Sequence, residues 1–171
     1  MRLPALGVCV ALTSLLAAPV AFADADAPQT FIKKAIQGDE AELKLGDLAA
    51  KKADAKDVRD FGYMLSEDHA KAREQAIRVA RGLGMAPPRE PMPKAEAEYD
   101  KLQHLSGRAF DDEFLRYMAD DHRSDIRDFR EQAEAGNHEV SRMAKEQLPT
   151  LEKHLQTAEH LMQLRSEHRR G

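Results

Sequence analysis

The chain has 171 residues, a third of them charged, with 26 Lys and Arg against 30 Asp and Glu, and a single cysteine, Cys9. That length suffices for one domain with its own core. The charge balance and the scatter of basic residues argue against nucleic acid as a partner, and a lone cysteine excludes an internal disulfide.

The first residues, MRLPALGVCVALTSLLAAPVAFA, place one positive charge at Arg2 before an apolar run, then Pro19 and the small-x-small triplet Ala21-Phe22-Ala23. That order predicts a secretory signal peptide over residues 1–23, cut after Ala23, and hence a periplasmic protein. Removal of the signal leaves 148 residues with no cysteine and a net charge of −5. No long apolar run follows, so no transmembrane segment is expected after cleavage.

From there the apolar residues recur every three to four positions and no segment alternates with period two, which predicts an all-α protein. Residues 24–29 form a polar, disordered leader, and a bundle domain occupies 30–168. The first helix is predicted over Thr30–Lys52. The second spans Asp54–Leu83, with Asp54 as its N-cap and Gly84 as its stop. Prolines 87, 88, 91 and 93 break the chain before a short helix over Lys94–Leu105. The fourth helix is predicted over Arg108–Ala135, ended by Gly136-Asn137. The fifth covers Glu139–Glu167, where Pro149 is expected to kink the helix or split off a short first piece. Two long hairpins joined by a broken connection make an antiparallel four-helix bundle with the short extra helix in the crossover.

Stepping 100° per residue gives each long helix an apolar stripe. The first helix buries Phe31, Ile32, Ala35, Gly46 and Ala49, with Asp39 and Glu42 near the centre of that face. The second buries Val58, Phe61, Leu65, Ala72, Ala76, Val79 and Leu83, with Asp68 and His69 pointing broadly inward. The fourth buries Phe110, Phe114, Met118, Ile126, Phe129 and Ala133. His122 lies between Met118 and Ile126, and Asp125 shares its face. The fifth buries Val140, Ala144, Leu151, Leu155, Ala158 and Met162, with His154 on the edge of the stripe. Glu42, His69, His122 and His154 each lie roughly 12 to 15 residues into their helix, so antiparallel packing brings them within about two turns of one layer. Two of these histidines follow acidic pairs, Glu67-Asp68-His69 and Asp120-Asp121-His122.

Three imidazoles and a carboxylate suit a single iron, copper or zinc ion. Asp39, Asp68, Asp121 and Asp125 are placed to orient the ligands from behind. The other reading is a network of His–carboxylate hydrogen bonds that fixes helix register, since buried charges need partners. Chance alone would put about three of seven histidines on helix stripes. The repeated local pattern and the common height favour a cluster, whereas the count does not. His104, His138, His160 and His168 read as solvated. Met85 and Met92 flank the proline loop without a neighbouring ligand, and Tyr63, Tyr99 and Tyr117 read as amphipathic filler.

The segments FIKKAIQGDEAELKLGDLAAKKADAKDVRDFGYMLSEDHAKA, SGRAFDDEFLRYMADDHRSDIRDF and LPTLEKHLQTA closely resemble a bacterial family known as domain of unknown function 4142, of the ferritin-like superfamily, over about Thr30 to Leu164. The resemblance implies a ferritin-like bundle and export, with Glu42, Gly46, Asp68, His69, Phe110, Asp111, Asp121, His122, Pro149 and His154 among the matching residues. It implies no activity. Ferritin-like di-iron proteins use a Glu-x-x-His on each of two helices; here Ser66, Ala119 and Leu151 stand three residues before the three histidines, so a standard ferroxidase centre is not expected. Three functions follow from the residues. One is an exported metal-binding protein, linked to envelope oxidative or metal stress. The second is a non-enzymatic envelope protein whose cluster is only a core hydrogen-bond network. The third is a hydrolase or lyase using the His–acid cluster without metal.

Overall fold

A computed structural model describes residues 27–90, 92–136 and 138–168; the predicted signal peptide and the first residues of the leader lie outside them. The described residues form five helices and no strand: α1 (Ala27–Lys52), α2 (Lys56–Gly82), α3 (Pro93–His104), α4 (Gly107–Glu134) and α5 (Glu139–Glu167).

Hairpins α1–α2 and α4–α5 pack with α2 against α5 and α1 against α4, while α3 leans on α1 and α4. Asp111 near the start of α4 reaches the turn between α1 and α2, and Arg165 near the end of α5 reaches Asp111. Those contacts place the starts of α2 and α4 at one end of the bundle. All four neighbouring long-helix pairs are therefore antiparallel, and α3 belongs to the crossover that returns the chain to that end.

The helix limits differ from the sequence reading where local chemistry was hidden. α1 begins at Ala27, three residues before Thr30, so Ala27–Gln29 are helical rather than a disordered leader. Pro28 suits a first turn, whose N–H groups have no intrahelical acceptor. Asp54 does not cap α2: the cap residue is Ala55, which makes no side-chain capping bond. The buried Asp111 takes that part instead, accepting from the Asp54 and Ala55 amides at 2.9 and 3.0 Å. α2 ends at Gly82, one residue before the expected Leu83, and Gly84 is its stop as expected, with a left-handed φ of 71°; Met85 N donates to Ala80 O and Gly84 N to Arg81 O, closing a Schellman turn. Leu83, expected in the core, is exposed. α5 is not split at Pro149. Pro149 and Lys145, whose carbonyl loses its usual i+4 donor there, both face solvent, where water replaces the bond.

The core is divided. One apolar cluster at the α1–α2 turn end contains Leu45, Phe61, Leu65, Phe110, Phe114 and Met118. Two others at the opposite end are built on Ile32, Ile36, Ala76 and Met143, and on Ile126, Phe129, Ala144 and Leu151. Between them lies a polar layer. Close helix approach supports the arrangement: Gly46 and Gly62 meet backbone to backbone between α1 and α2, where a Cβ on either would lie 2.7 Å from the other's carbonyl oxygen.

Candidate metal centre

The polar layer consists of Asp39 and Glu42 from α1, His69 from α2, His122 from α4 and His154 from α5, all buried. Each is held by the apolar stripe around it, as His122 is between the fully buried Met118 and the nearly buried Ile126. His154, expected at a stripe's edge, is wholly enclosed. The three imidazole rings face one another with centroids 5.2 to 5.6 Å apart. One nitrogen from each ring lies within 4.8 Å of a nitrogen of the other two.

Every ring has a separate acceptor on its outer side. His69 Nδ1 is 2.9 Å from Asp39 Oδ1. His122 Nδ1 is 2.9 Å from the Met118 carbonyl, which can only accept, so the proton of neutral His122 sits on Nδ1 and leaves Nε2 bare. His154 Nε2 is 3.2 Å from Asp68 Oδ2. On the inner side, His122 Nε2 is 3.2 Å from His154 Nδ1, and His69 Nε2 is 3.1 Å from Glu42 Oε2 in a direction that makes no hydrogen bond.

The electrostatics follow from burial. Burial first, then the neighbouring His69 and His154, hold His122 well below the ordinary histidine range. Burial and His69 bring His154 down to about 4, despite the Asp68 carboxylate. Burial would raise Asp68, but its bond to His154 and the nearby Lys71 hold it below the usual carboxylate range. Near neutral pH His154 therefore carries one proton and faces an ionised Asp68. Burial raises Asp39 against the pull of His69. Glu42 is pushed well up by burial and then by Asp125, Asp121 and Asp39.

Asp121 and Asp125 do not support the rings as Asp39 and Asp68 do. They gather on Glu42, with one oxygen of each of the three carboxyls within 4.8 Å of the others, and Lys94 pairs with Asp121 at 3.0 Å. This group lines a cavity of about 240 Å³ that reaches His69 from one side of the bundle. A second cavity of about 310 Å³ meets Asp68, His69 and His154 from another. A further cavity of about 550 Å³ between α1 and α3 has no histidine in its lining.

Other expectations resolve simply. His104, His138, His160 and His168 are exposed, and His138 caps α5 by accepting from the Ser141 amide. Met85 packs on an apolar cluster, and Met92 borders the acidic cavity. Tyr117 is buried beside Asp121 rather than filling surface. The part played by the Met118 carbonyl was invisible in the sequence, because every residue has one. Asp111 as a cap at a distance was equally hidden, though a lone Asp on an apolar stripe is a signal that some partner must be found for it.

The fold and this layer define an all-α helical-bundle protein with a buried His–carboxylate cluster. The family described as Domain of unknown function (DUF4142) matches residues 14–161, and the chain belongs to that family. Among solved structures it is similar to a DUF305 fragment from Deinococcus radiodurans, at 19% identity and a TM-score of 0.71, covering 80% of this chain and 95% of that one. It is also similar to a DUF305 protein from Streptomyces coelicolor, at 17% identity and a TM-score of 0.70, covering 82% and 92%. At that distance the likeness establishes the fold, which is of the ferritin-like helical type. No curated protein matches the chain. No helix among the described residues is long and apolar enough to cross a membrane.

Proposed function

We propose that this bundle is an exported metal-binding protein that holds one iron, copper or zinc ion with His69, His122, His154 and Glu42. The observation that carries the reading is a shortage of protons. Neutral His154 has one ring proton and two contacts, Asp68 on one nitrogen and the bare Nε2 of His122 on the other. If the proton goes to Asp68, two nitrogen lone pairs face each other at 3.2 Å. A cation between them removes the conflict, and two nitrogen ligands of one tetrahedral ion lie about 3.3 Å apart. The same tautomer assignment frees His69 Nε2, whose proton-bearing Nδ1 serves Asp39. Three rings whose outer N–H groups are taken by a carboxylate, a carbonyl and a carboxylate match the way metal-binding histidines are oriented from behind.

Asp39 and Asp68 thus orient ligands, and Glu42 supplies the anionic one. The donor set of three imidazoles and a carboxylate suits Fe(II), Cu(II) or Zn(II), with Cu(II) bound most tightly by the usual order. Such an ion supplies a Lewis-acid or, for iron and copper, a redox-active centre in a protein interior. A hydrogen-bond network alone accounts for His69 with Asp39, but leaves His154 with one proton for two contacts.

Thermal unfolding of the purified protein with chelator, Fe(II), Cu(II) and Zn(II) tests the reading. The expected gain is about 2.7 kcal/mol at a hundredfold excess of metal over Kd, lost in His122→Ala. A His69/His122/His154→Leu triple variant, well packed and metal-blind, separates ligand loss from core damage. No metal-dependent shift in the wild type, with a triple variant as stable as the parent, rejects the metal and leaves the structural network.

A further inference from the structure

The acidic cavity beside the histidines is lined by more carboxyl groups than the three rings can use. Glu42, Asp121 and Asp125 bring three carboxyl oxygens within 4.8 Å of one another, with Asp39 and Asp128 in the same lining. Besides His69, the basic groups among the described residues of that lining are Lys34 and Lys94, and Lys94, about two-thirds exposed, pairs with Asp121. Two oxygens on nearly fully buried side chains have no hydrogen-bond partner, Glu42 Oε1 and Asp39 Oδ2. Glu42 Oε1 is 3.2 Å from His122 Nδ1, but the proton of that nitrogen is committed to the Met118 carbonyl. A buried carboxylate oxygen without a donor is costly. Here the missing partner is most simply a cation, because Asp121, Asp125 and Asp128 line the same space and supply further oxygen donors to it.

We propose that Glu42, Asp121 and Asp125 form a second divalent-cation site, ligated by oxygen alone and taking a hard ion of the magnesium, calcium or manganese class. Carboxylate-and-water sets select those ions, while the imidazoles select zinc, copper or iron. A cavity of about 240 Å³ leaves room for the waters that such ions retain. The exposed Lys94 is the stand-in cation, displaced when the ion enters. The site rests on the metal-binding reading only through Glu42, which the two centres share by its two oxygens. It also gives the His centre a route to solvent whose potential draws cations inward.

The test loads the full protein with one equivalent of Zn(II), then titrates Mn(II) and follows the loss of the free Mn(II) electron paramagnetic resonance signal. Zinc holds the imidazoles against manganese, so any bound Mn(II) reports another site. One Mn(II) equivalent is expected in the wild type and none in Asp121→Asn/Asp125→Asn, which retains its zinc. Both changes are near-isosteric and remove crowded charge, so the variant should fold; Asp125→Asn alone, with weakened Mn(II) binding, is the second check. Absence of Mn(II) binding in the wild type, or equal binding in the double variant, overturns the proposal. Should zinc fail to bind while metal-free protein still takes one Mn(II) that the double variant loses, the oxygen site stands and the histidine reading alone falls.

Discussion

His122 and His154 meet across the α4–α5 hairpin with Nε2 of one 3.2 Å from Nδ1 of the other, and Asp68 decides whether the His154 proton stands between them. An ionised Asp68 draws the His154 proton to Nε2 and leaves Nδ1 free to ligate. Asp68→Asn can turn its amide N–H toward Nε2 and allow the proton to move to Nδ1, where His122 accepts it. The metal-free cluster is then satisfied internally. Zinc affinity should fall about 10- to 100-fold, the usual effect of losing a partner behind a ligand, while metal-free stability stays level or rises. Calorimetric zinc titration and urea unfolding check the two halves; unchanged zinc affinity removes Asp68 from the centre.

The glycines of the α1–α2 hairpin give a sharper mechanical test. A Cβ on Gly62 would lie 2.7 Å from both Ala50 N and Gly46 O, and one on Gly46 would lie 2.8 Å from Ser66 N. These are backbone atoms and cannot swing away, so the helices must separate. In an open helix position Ala is better than Gly by about 0.5–1 kcal/mol. Gly62→Ala should instead destabilise by about 1–3 kcal/mol through overpacking. Gly38, in the same α1 but with nothing within 4 Å of an added Cβ, is the control, and Gly38→Ala should stabilise. Equal signs for the two variants in denaturant unfolding contradict the close approach.

Periodicity carried the bundle, because four long helices each need an apolar stripe and the polar interruptions sit at matched heights. Glu42, His69, His122 and His154 were legible as one layer for that reason. Their division of labour was not. A face at 100° per residue says that Asp39, Asp68, Asp121 and Asp125 point inward, but it does not say which ring each meets. Only packing shows that Asp39 and Asp68 bind rings while Asp121 and Asp125 crowd Glu42. Local caps failed for the same reason: the chain beside Asp54 offered a cap, and tertiary structure supplied Asp111 from 57 residues away.

Asp111 should accordingly be among the most sensitive positions outside the metal centre. It is fully buried, accepts from two amides at the start of α2, and pairs with Arg165 at 3.1 Å. Asp111→Ala leaves the mostly buried Arg165 with one carboxylate fewer, although Asp112 still holds it at 2.8 Å. Breaking a buried pair costs about 3–5 kcal/mol, and the retained Asp112 contact puts the expected loss at the lower end. The helix start adds its own loss of capping. Urea unfolding measures the sum, and a loss below about 1 kcal/mol would show that water replaces Asp111 without penalty.

The buried titratable groups set an unusual pH profile for the metal-free protein. His122 and His154 stay neutral in the fold and protonate when unfolded, so the unfolded chain binds more protons between about 4 and 6.5 and stability rises with pH there. Asp125 acts oppositely: burial, then Asp121 and Asp39, push it up to about 8 against an ordinary 3.8. Through that window the fold keeps a proton the unfolded chain has lost, so stability falls as pH rises. Glu42 and Asp39 are raised in the same sense. The depressed Asp68, Asp112 and Glu113 have delivered their stabilisation well below pH 6. Below 6.5 the histidine and acid contributions oppose each other, and above it the raised acids act alone. From pH 6.5 to 8 the metal-free protein should therefore lose stability, with Asp125 contributing a slope approaching about 1.4 kcal/mol per pH unit. Asp125→Asn should flatten that part of the profile. A bound divalent cation should reverse it, because metal competes with the proton for the same carboxyls and wins as pH rises. Denaturant unfolding at pH 6.5, 7.25 and 8, with and without Mn(II), reads all three. A metal-free profile that is flat or rising over this range, in wild type and Asp125→Asn alike, means that these carboxyls are ionised and solvated in the fold.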